Sequence, residues 1–172
     1  MKFYLNQHIS LISFLLIPLL TLWNPSWFSL MGFQAYWPIF WLLPWAVIYG
    51  PFKSILLAFF LGFVLDTINA DLYTQIPGLM ICGFWFGKIG SLDKFNNAPI
   101  QFGLAAAIGS FICGLIYFCQ MVINLLLKNN PLLIFEFGVQ TIFAQVFLTG
   151  LLAPVFCKWL YSLFSRKSIL KI

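Results

Sequence analysis

Charged side chains are scarce in this sequence. Asp, Glu, Lys and Arg make up only 8% of its 172 residues, and just four residues are acidic. A typical soluble domain carries about 25% charged residues. A chain of this length also leaves much of its surface uncovered by its own core. The shortage of charge therefore excludes an ordinary soluble domain and indicates that most of the surface faces lipid.

The groups on which most enzymes and metal sites depend are also missing or dispersed. The single histidine is His8, and no Cys-x-x-Cys pair occurs. The sequence contains neither a phosphate-binding glycine loop nor a nucleophile with a neighbouring base. We therefore predict no enzymatic activity, no metal and no cofactor. The cysteines all lie in apolar runs and are interpreted as small packing residues: Cys82, Cys113, Cys119 and Cys157.

Positive charge is in excess, but it is not concentrated. The net charge is +5, from nine Lys and Arg residues against four Asp and Glu residues. The basic residues are scattered at the ends of apolar runs and form no aromatic and basic patch, which argues against a nucleic-acid partner. They are better interpreted as signals of membrane orientation.

Long apolar runs are what the sequence has in abundance. Hydrophobic residues make up 62% of the chain, and a helix needs about 20 apolar residues to cross the hydrocarbon layer. The runs comprise residues 9–23, 36–49, 52–68, 76–89, 100–127 and 132–164. They predict an all-α membrane protein, a polytopic bundle of about six transmembrane helices that forms one domain over residues 1–172. No small-x-small cleavage motif follows the first run, so we expect it to remain as a helix.

The basic residues predict the orientation of this bundle. If the N-terminus lies in the cytoplasm and six helices follow, eight of the nine Lys and Arg residues fall on the cytoplasmic side, and only Lys128 lies outside. Asp66 and Asp71 then fall on the outer side. We therefore predict a multi-pass protein with both termini in the cytoplasm.

Asp66, at the end of the third run, is the first candidate functional residue. A carboxylate near the membrane is costly unless it is solvated, paired or at the interface. Asp66 could contact a ligand or partner, or it could cap a helix end at the interface. Its position near the outer boundary favours the cap.

Glu136 and Gln140 place polar groups one helical turn apart on one face of the last run. They could belong to a proton or ion pathway, but such a pathway needs further ionisable groups at depth. Hydrogen bonds between helices are the favoured interpretation, with Gln101, Gln120 and Asn124 of the fifth run as possible partners.

Small residues form a stripe along the fifth run, where they allow another helix backbone to approach closely. The stripe contains Gly103, Ala106, Ala107, Gly109, Ser110, Cys113 and Gly114. Gly83-x-x-x-Gly87 in the fourth run has the same character. Either the stripe packs within the bundle or it binds a partner, and we favour packing within the bundle.

Trp41 and Trp45 lie four residues apart on one face of the second run. Tryptophan often anchors membrane helices at the interface. The pair could instead form a ridge on which another protein docks. If the stripe of small residues in the fifth run packs within the bundle, we expect a partner to contact this tryptophan ridge.

The middle of the chain contains several short motifs in a fixed order. Tyr36-Trp37-Pro38 opens the second run, a Gly-x-x-x-Asp pattern from Gly62 to Asp66 closes the third, and Gln75-Ile76-Pro77-Gly78-Leu79 opens the fourth. Over residues 36–90 the sequence resembles the rod shape-determining MreD family of bacteria, whose members are small proteins with five or six membrane helices.

The resemblance implies a non-enzymatic scaffold of the cell-elongation machinery in the bacterial cytoplasmic membrane. The expected partners are membrane lipid, a single-span MreC-like protein and, through it, the actin-like MreB and the peptidoglycan synthases. The family is also similar in architecture to the substrate-binding subunits of energy-coupling-factor vitamin transporters. The alternative is therefore a small-ligand-binding membrane subunit, which requires an outward pocket between helices, lined by polar groups that converge.

Overall fold

The structure, a computed structural model, describes residues 29–30, 33–69, 73–90, 99–126 and 132–169. Within them the chain is helical, apart from a two-residue antiparallel pairing of β1 (Ser29–Leu30) with β2 (Phe33–Gln34). The helices are α1 (Trp37–Tyr49), α2 (Pro51–Asn69), α3 (Ile76–Gly90), α4 (Pro99–Leu126) and α5 (Leu132–Ile169). They match the predicted runs from the second to the sixth, except that α5 ends at Ile169 and not at Phe164. The all-α class is confirmed for the described residues. The first predicted run, residues 9–23, lies outside the described residues.

Among the described residues, three helices are long and apolar enough to cross a membrane. The candidate spans in α2, α4 and α5 are Pro51–Ile68, Ile100–Ile123 and Gly138–Ser162. Only 22–39% of the residues in these spans are buried inside the protein, so most of their apolar surface faces outward. Such a surface is stable in lipid and not in water. The chain is therefore a membrane protein, whereas the number of six spans remains a prediction.

The two other described helices are apolar but short. With 13 and 15 residues, α1 and α3 rise by about 20 Å, less than the roughly 30 Å hydrocarbon layer. Within α1, every residue from 37 to 44 is buried, and the helix packs against α2, α3, α4 and α5. A helix that is apolar on all sides belongs in the interior of a bundle. The other helices thus surround α1.

The burial of α1 corrects the prediction of an aromatic docking ridge. Trp41 is only 4% exposed, and its ring stacks on that of Trp45, with centroids 5.4 Å apart. Trp45 is half-buried and packs in turn on Tyr49. The spacing of the two tryptophans is consistent with one helix face, but that face points into the bundle. The pair contributes to helix packing and does not form an exposed ridge.

The chain reverses sharply between α1 and α2 at Gly50. Its φ of +83° lies in the left-handed region that favours glycine. The Gly50 N–H donates to the Ala46 carbonyl at 3.1 Å, and its own carbonyl accepts the Ser54 hydroxyl at 2.6 Å. Pro51, whose missing N–H is harmless at a helix start, then begins α2.

Glycines of α3 pack directly against the beginning of α2 and the end of α1. A Cβ added at Gly83 would lie 2.8 Å from the Ser54 carbonyl oxygen, and one added at Gly87 or Gly90 would overlap the backbone of Pro51 or Val47. We call Gly83, Gly87 and Gly90 the glycine seam. The contact of the end of α3 with the start of α2 makes these helices antiparallel. In the same way, the contacts of Gly103 with Pro154 and of Gly114 with Ile142 make α4 and α5 antiparallel.

Candidate functional site

Asp66 caps the beginning of α3 from the neighbouring helix. Its Oδ1 accepts a hydrogen bond of 2.8 Å from the backbone N–H of Gln75, the residue that precedes α3. The N–H groups at a helix start have no partners within the helix, and a negative charge there is favourable. Asp66 therefore occupies the role of a helix cap, one of the two roles that its sequence position allowed.

Gly62, one turn before Asp66, allows α3 to begin this close to α2. A Cβ added at Gly62 would lie 2.8 Å from the Cα of Ile76, the first residue of α3. Any larger side chain would move the N-terminus of α3 away from Asp66. The Gly-x-x-x-Asp pattern thus has a physical explanation, since the glycine permits the approach and the aspartate satisfies the exposed N–H.

Tyr36 connects this capped helix end to α5. Its hydroxyl donates to the Gln75 side-chain oxygen at 2.9 Å, and its backbone N–H donates to the Thr149 hydroxyl oxygen at 3.0 Å. The Thr149 hydroxyl in turn donates to the Gln145 carbonyl at 2.6 Å. The chain entering α1 is therefore bound to both α3 and α5.

Gln120 of α4 holds the segment before α3 from the other side. Its amide accepts from the Thr74 backbone N–H and donates to the Thr74 carbonyl, with both bonds at 3.0 Å. Next to this pair, the rings of Tyr73 and Tyr117 meet edge to face with centroids 5.4 Å apart. We call the set Tyr36, Asp66, Thr74, Gln75 and Gln120 the polar junction. It joins the start of α1, the end of α2, the segment before α3, and α4.

A pocket of about 420 Å³ lies beside the polar junction, between α3, α4 and α5. Its volume is within the range of small-molecule sites, about 300–1,000 Å³. The described residues that line it are Tyr36, Thr74, Gln75, Gly78, Cys113, Gly114, Ile116, Tyr117, Phe118, Met121, Gly138, Thr141, Ile142 and Gln145. None of these side chains carries a formal charge. The described lining of the pocket is mainly apolar and also contains amide and hydroxyl groups.

The predicted glycine stripe faces other helices of the same chain. A Cβ added at Gly103 would lie 2.9 Å from the carbonyl oxygen of Gly150, and one at Gly114 would lie 3.2 Å from the side chain of Ile142, which puts both glycines against α5. At Gly109 an added Cβ would overlap the ring of Phe86. These positions fit the internal role that we favoured for the stripe.

The α4–α5 contact is close at Gly103. Pro154 has no N–H to donate to the carbonyl of Gly150, four residues earlier in α5. A Cβ added at Gly103 would lie against that carbonyl and against the Pro154 ring. The helix itself is continuous through Pro154, from Leu132 to Ile169.

The remaining predicted residues have different surroundings. The side chain of Gln140 is exposed. Glu136 lies in α5, at a position where side chains are outside the described set. Cys82 and Cys113 are free thiols with their sulfur atoms 3.5 Å apart, and Cys113 also lines the pocket. Among the described residues, no three His, Cys, Asp or Glu side chains come together to hold a metal.

Sequence reasoning missed the hydrogen bonds of Tyr36, which join α3 and α5 to the start of α1. Tyr36 and Gln75 were part of the motifs on which the resemblance rests, but no signal showed that they contact each other. Gln145 and Thr149 lie on the last helix, far from Tyr36 in sequence. Only the packing of α5 against the start of α1 brings them together.

Comparisons of this chain with models of known families, with curated proteins and with solved structures found no match. The resemblance over residues 36–90 therefore rests on the sequence motifs alone.

Proposed function

We propose that this protein is a non-enzymatic scaffold of the bacterial cell-elongation machinery, related to MreD. The observation that supports the proposal is the convergence of its motifs. Tyr36 of the first motif, Asp66 of the second and Gln75 of the third meet in one hydrogen-bonded junction, with Gly62 against Ile76 beside it. Short apolar motifs that occur by chance are not expected to contact one another in the fold. Motifs that maintain a common structure are expected to do so.

The proposed orientation places the polar junction outside and both termini in the cytoplasm. Three exposed lysines, Lys53 at the start of α2, Lys88 at the end of α3 and Lys158 in the second half of α5, lie toward the end of the bundle opposite the junction. Basic residues accumulate on the cytoplasmic side of membrane proteins. This distribution supports a cytoplasmic location for that end.

Reporter fusions test the orientation. Fusions at Asn97, in the segment between α3 and α4, and at the C-terminus are both expected to report cytoplasm. A fusion at Lys128, between α4 and α5, is expected to report the outer side and serves as the matched control. An outer signal at Asn97 or at the C-terminus would overturn the six-span arrangement.

The partner is proposed to be a single-span MreC-like protein that connects the scaffold to MreB and the peptidoglycan synthases. Lipid provides no hydrophobic driving force between helices, so association in the membrane depends on close packing and polar contacts. The outward faces of α2 and α5 offer large apolar side chains for such packing. They include Phe52, Phe59, Phe60, Phe63, Phe143 and Phe147.

Affinity purification in mild detergent tests the proposed function. The tagged full chain is expected to retain the elongation proteins, and a tagged polytopic protein of similar size and unrelated function is expected not to retain them. Recovery of a transporter ATPase in their place would favour the second candidate. Recovery of neither group above the control would contradict both.

The second candidate function is a small-ligand-binding membrane subunit, and the pocket is the observation that favours it. In the proposed orientation the pocket lies at the outer end of the bundle, because Tyr36, Thr74 and Gln75 of the polar junction line it. Several polar groups converge on it, as such a function requires.

A further inference from the structure

We propose that the pocket beside the polar junction binds an uncharged molecule that has an apolar body and one hydrogen-bonding end. This inference goes beyond the scaffold function, which needs no ligand. It deepens the second candidate by naming the chemical class that the pocket accepts. It rests on the size, charge and lining of the pocket.

The neutral side chains of the described pocket wall determine the charge of the ligand. Every described lining residue is neutral, and the carboxylate of Asp66 in the adjoining polar junction is already bound to the backbone N–H of Gln75. A charged group that enters an apolar cavity loses its hydration and would find no countercharge among these side chains. The part of the ligand inside the pocket is therefore uncharged.

Part of the pocket wall is suited to an apolar body. The described lining includes the apolar side chains of Ile116, Phe118 and Met121 of α4 and of Ile142 of α5. Aromatic rings and the flexible methionine side chain accommodate flat rings and hydrocarbon chains alike. Gly138 supports this wall, because a Cβ added there would overlap the ring of Phe118.

The lining also carries amides that are open to a ligand. The Gln75 side-chain oxygen accepts the Tyr36 hydroxyl, which leaves its NH₂ group for another acceptor. The Gln145 side chain lines the pocket, is half-buried and makes no hydrogen bond with the part of the chain that the structure describes. Half-buried amides are costly unless they find a partner. A hydroxyl or carbonyl of the ligand can provide such a partner.

Two sources can supply this chemistry, the apolar chain of a membrane lipid or a small neutral ring compound from solution. The test uses one probe for each source and a charged analogue for each probe. Monoolein carries an uncharged glycerol end on a hydrocarbon chain, and oleate carries a carboxylate on the same chain. 2-Naphthol and 2-naphthoate form the corresponding pair of ring compounds. Binding to the purified full chain, held in amphipol without detergent, is measured by native mass spectrometry and by the shift in melting temperature.

The expected result is that one uncharged probe binds about tenfold or more tightly than its charged analogue. Preference for monoolein identifies a lipid chain as the natural source, and preference for 2-naphthol identifies a small ring compound. If neither uncharged probe binds, or if the charged analogues bind equally well, the proposal is overturned.

Two variants locate the binding. Gln145→Leu keeps the size of the side chain but removes the amide, and it is expected to weaken binding about three- to tenfold. Met121→Trp fills the pocket and is expected to abolish binding. Gln140→Leu is the matched control, because Gln140 lies on the same helix and its side chain is exposed. This variant is expected to bind the probe as tightly as the unchanged chain. Equal binding by all three variants would overturn the proposal.

The same variants separate this inference from the proposed functions. If Gln145→Leu loses the probe but retains the elongation proteins in affinity purification, the ligand site is real and independent of the scaffold. If the unchanged chain binds the probe but retains neither the elongation proteins nor a transporter ATPase, both proposed functions fail and the pocket inference stands.

Discussion

The two ends of this bundle are held together by different forces. At the polar junction, side chains bind the start of α3 through directional hydrogen bonds, such as Asp66 to the Gln75 N–H at 2.8 Å, and a pocket of about 420 Å³ remains beside them. At the glycine seam, by contrast, Gly83 allows α3 to touch the backbone of Ser54 directly. Close backbone contact fills space and tolerates little change, whereas hydrogen bonds fix position and can leave a cavity open. The difference suggests that the seam provides rigidity and the junction provides a site.

The largest effect is expected at the glycine seam. In Gly87→Leu the new side chain overlaps the backbone of Pro51, which cannot move without displacing the start of α2. Overpacking of this kind costs about 3 kcal/mol. We expect a large loss of monodisperse protein and a lower melting temperature, measured by intrinsic fluorescence in detergent.

The matched control for the seam is Phe84→Leu, on the same helix, where the side chain is 50% exposed. Its melting temperature is expected to stay near that of the unchanged chain. If Gly87→Leu were as stable as Phe84→Leu, close backbone packing at the glycine seam would not make that end of the bundle rigid.

A smaller loss is expected halfway between the two ends, at Gly109. The side chain of Gly109→Leu would meet the ring of Phe86 and the tip of Ile39. Side chains move more easily than backbone, so we expect a loss of about 2 kcal/mol. Protein yield and melting temperature are the measurements, with the exposed neighbour Ile108→Leu as control.

Co-purification of the partner with Gly109→Leu separates an effect on stability from an effect on partner binding. The contacts with Phe86 and Ile39 predict that Gly109→Leu lowers stability first and affects partner binding only through it. A variant that remains fully stable and yet loses its partner would show that the stripe binds the partner, contrary to the geometry.

At the polar junction, we expect changes at Asp66 to have a graded effect. Asp66→Ala leaves the Gln75 N–H without its acceptor and is expected to cost about 1–2 kcal/mol. Asp66→Asn retains an oxygen acceptor but loses the charge that favours a helix start, so its cost is expected to be about half as large. Melting temperatures of the two variants measure the difference. If the two variants were equally stable, the carboxylate would not act as the cap.

The smallest effect is expected at Gln120, on the exposed side of the junction. Gln120→Leu removes two hydrogen bonds to the Thr74 backbone, and we expect a cost of about 0.5–1 kcal/mol. Faster hydrogen exchange of the Thr74 amide is the more sensitive measurement. Gln101→Leu is the control, a glutamine of the same helix with an exposed side chain, and it should leave that exchange rate unchanged.

Helix positions were predictable from the sequence because the apolar runs end at residues that stop helices. The start of α3 at Ile76 and the end of α1 at Tyr49 coincide with the predicted limits. Gly50-Pro51 separates two helices where the chain must turn. The limits that such turn residues set do not depend on the tertiary contacts of the helices.

Burial was much less predictable, and Trp41 is the clearest example. In a soluble helix the apolar face is the buried one, but in a membrane protein the face toward lipid is apolar as well. In α2, for instance, Phe60 is 52% exposed and its neighbour Leu61 is 1% exposed, although both are strongly apolar. The sequence pattern therefore gives little information about which tryptophan faces inward.

By itself, the amino-acid sequence determined that this chain belongs in a membrane and, apart from the end of α5, where its described helices begin and end, because hydropathy and turn residues act over short distances. Only the tertiary structure decided that Tyr36, Asp66, Gln75 and Gln120 form one junction and that a pocket with an uncharged described lining lies beside it. Contacts between residues as far apart as Tyr36 and Thr149 depend on how apolar helices pack against one another. That packing is decided by small residues and a few hydrogen bonds, which leave almost no trace in a hydropathy pattern.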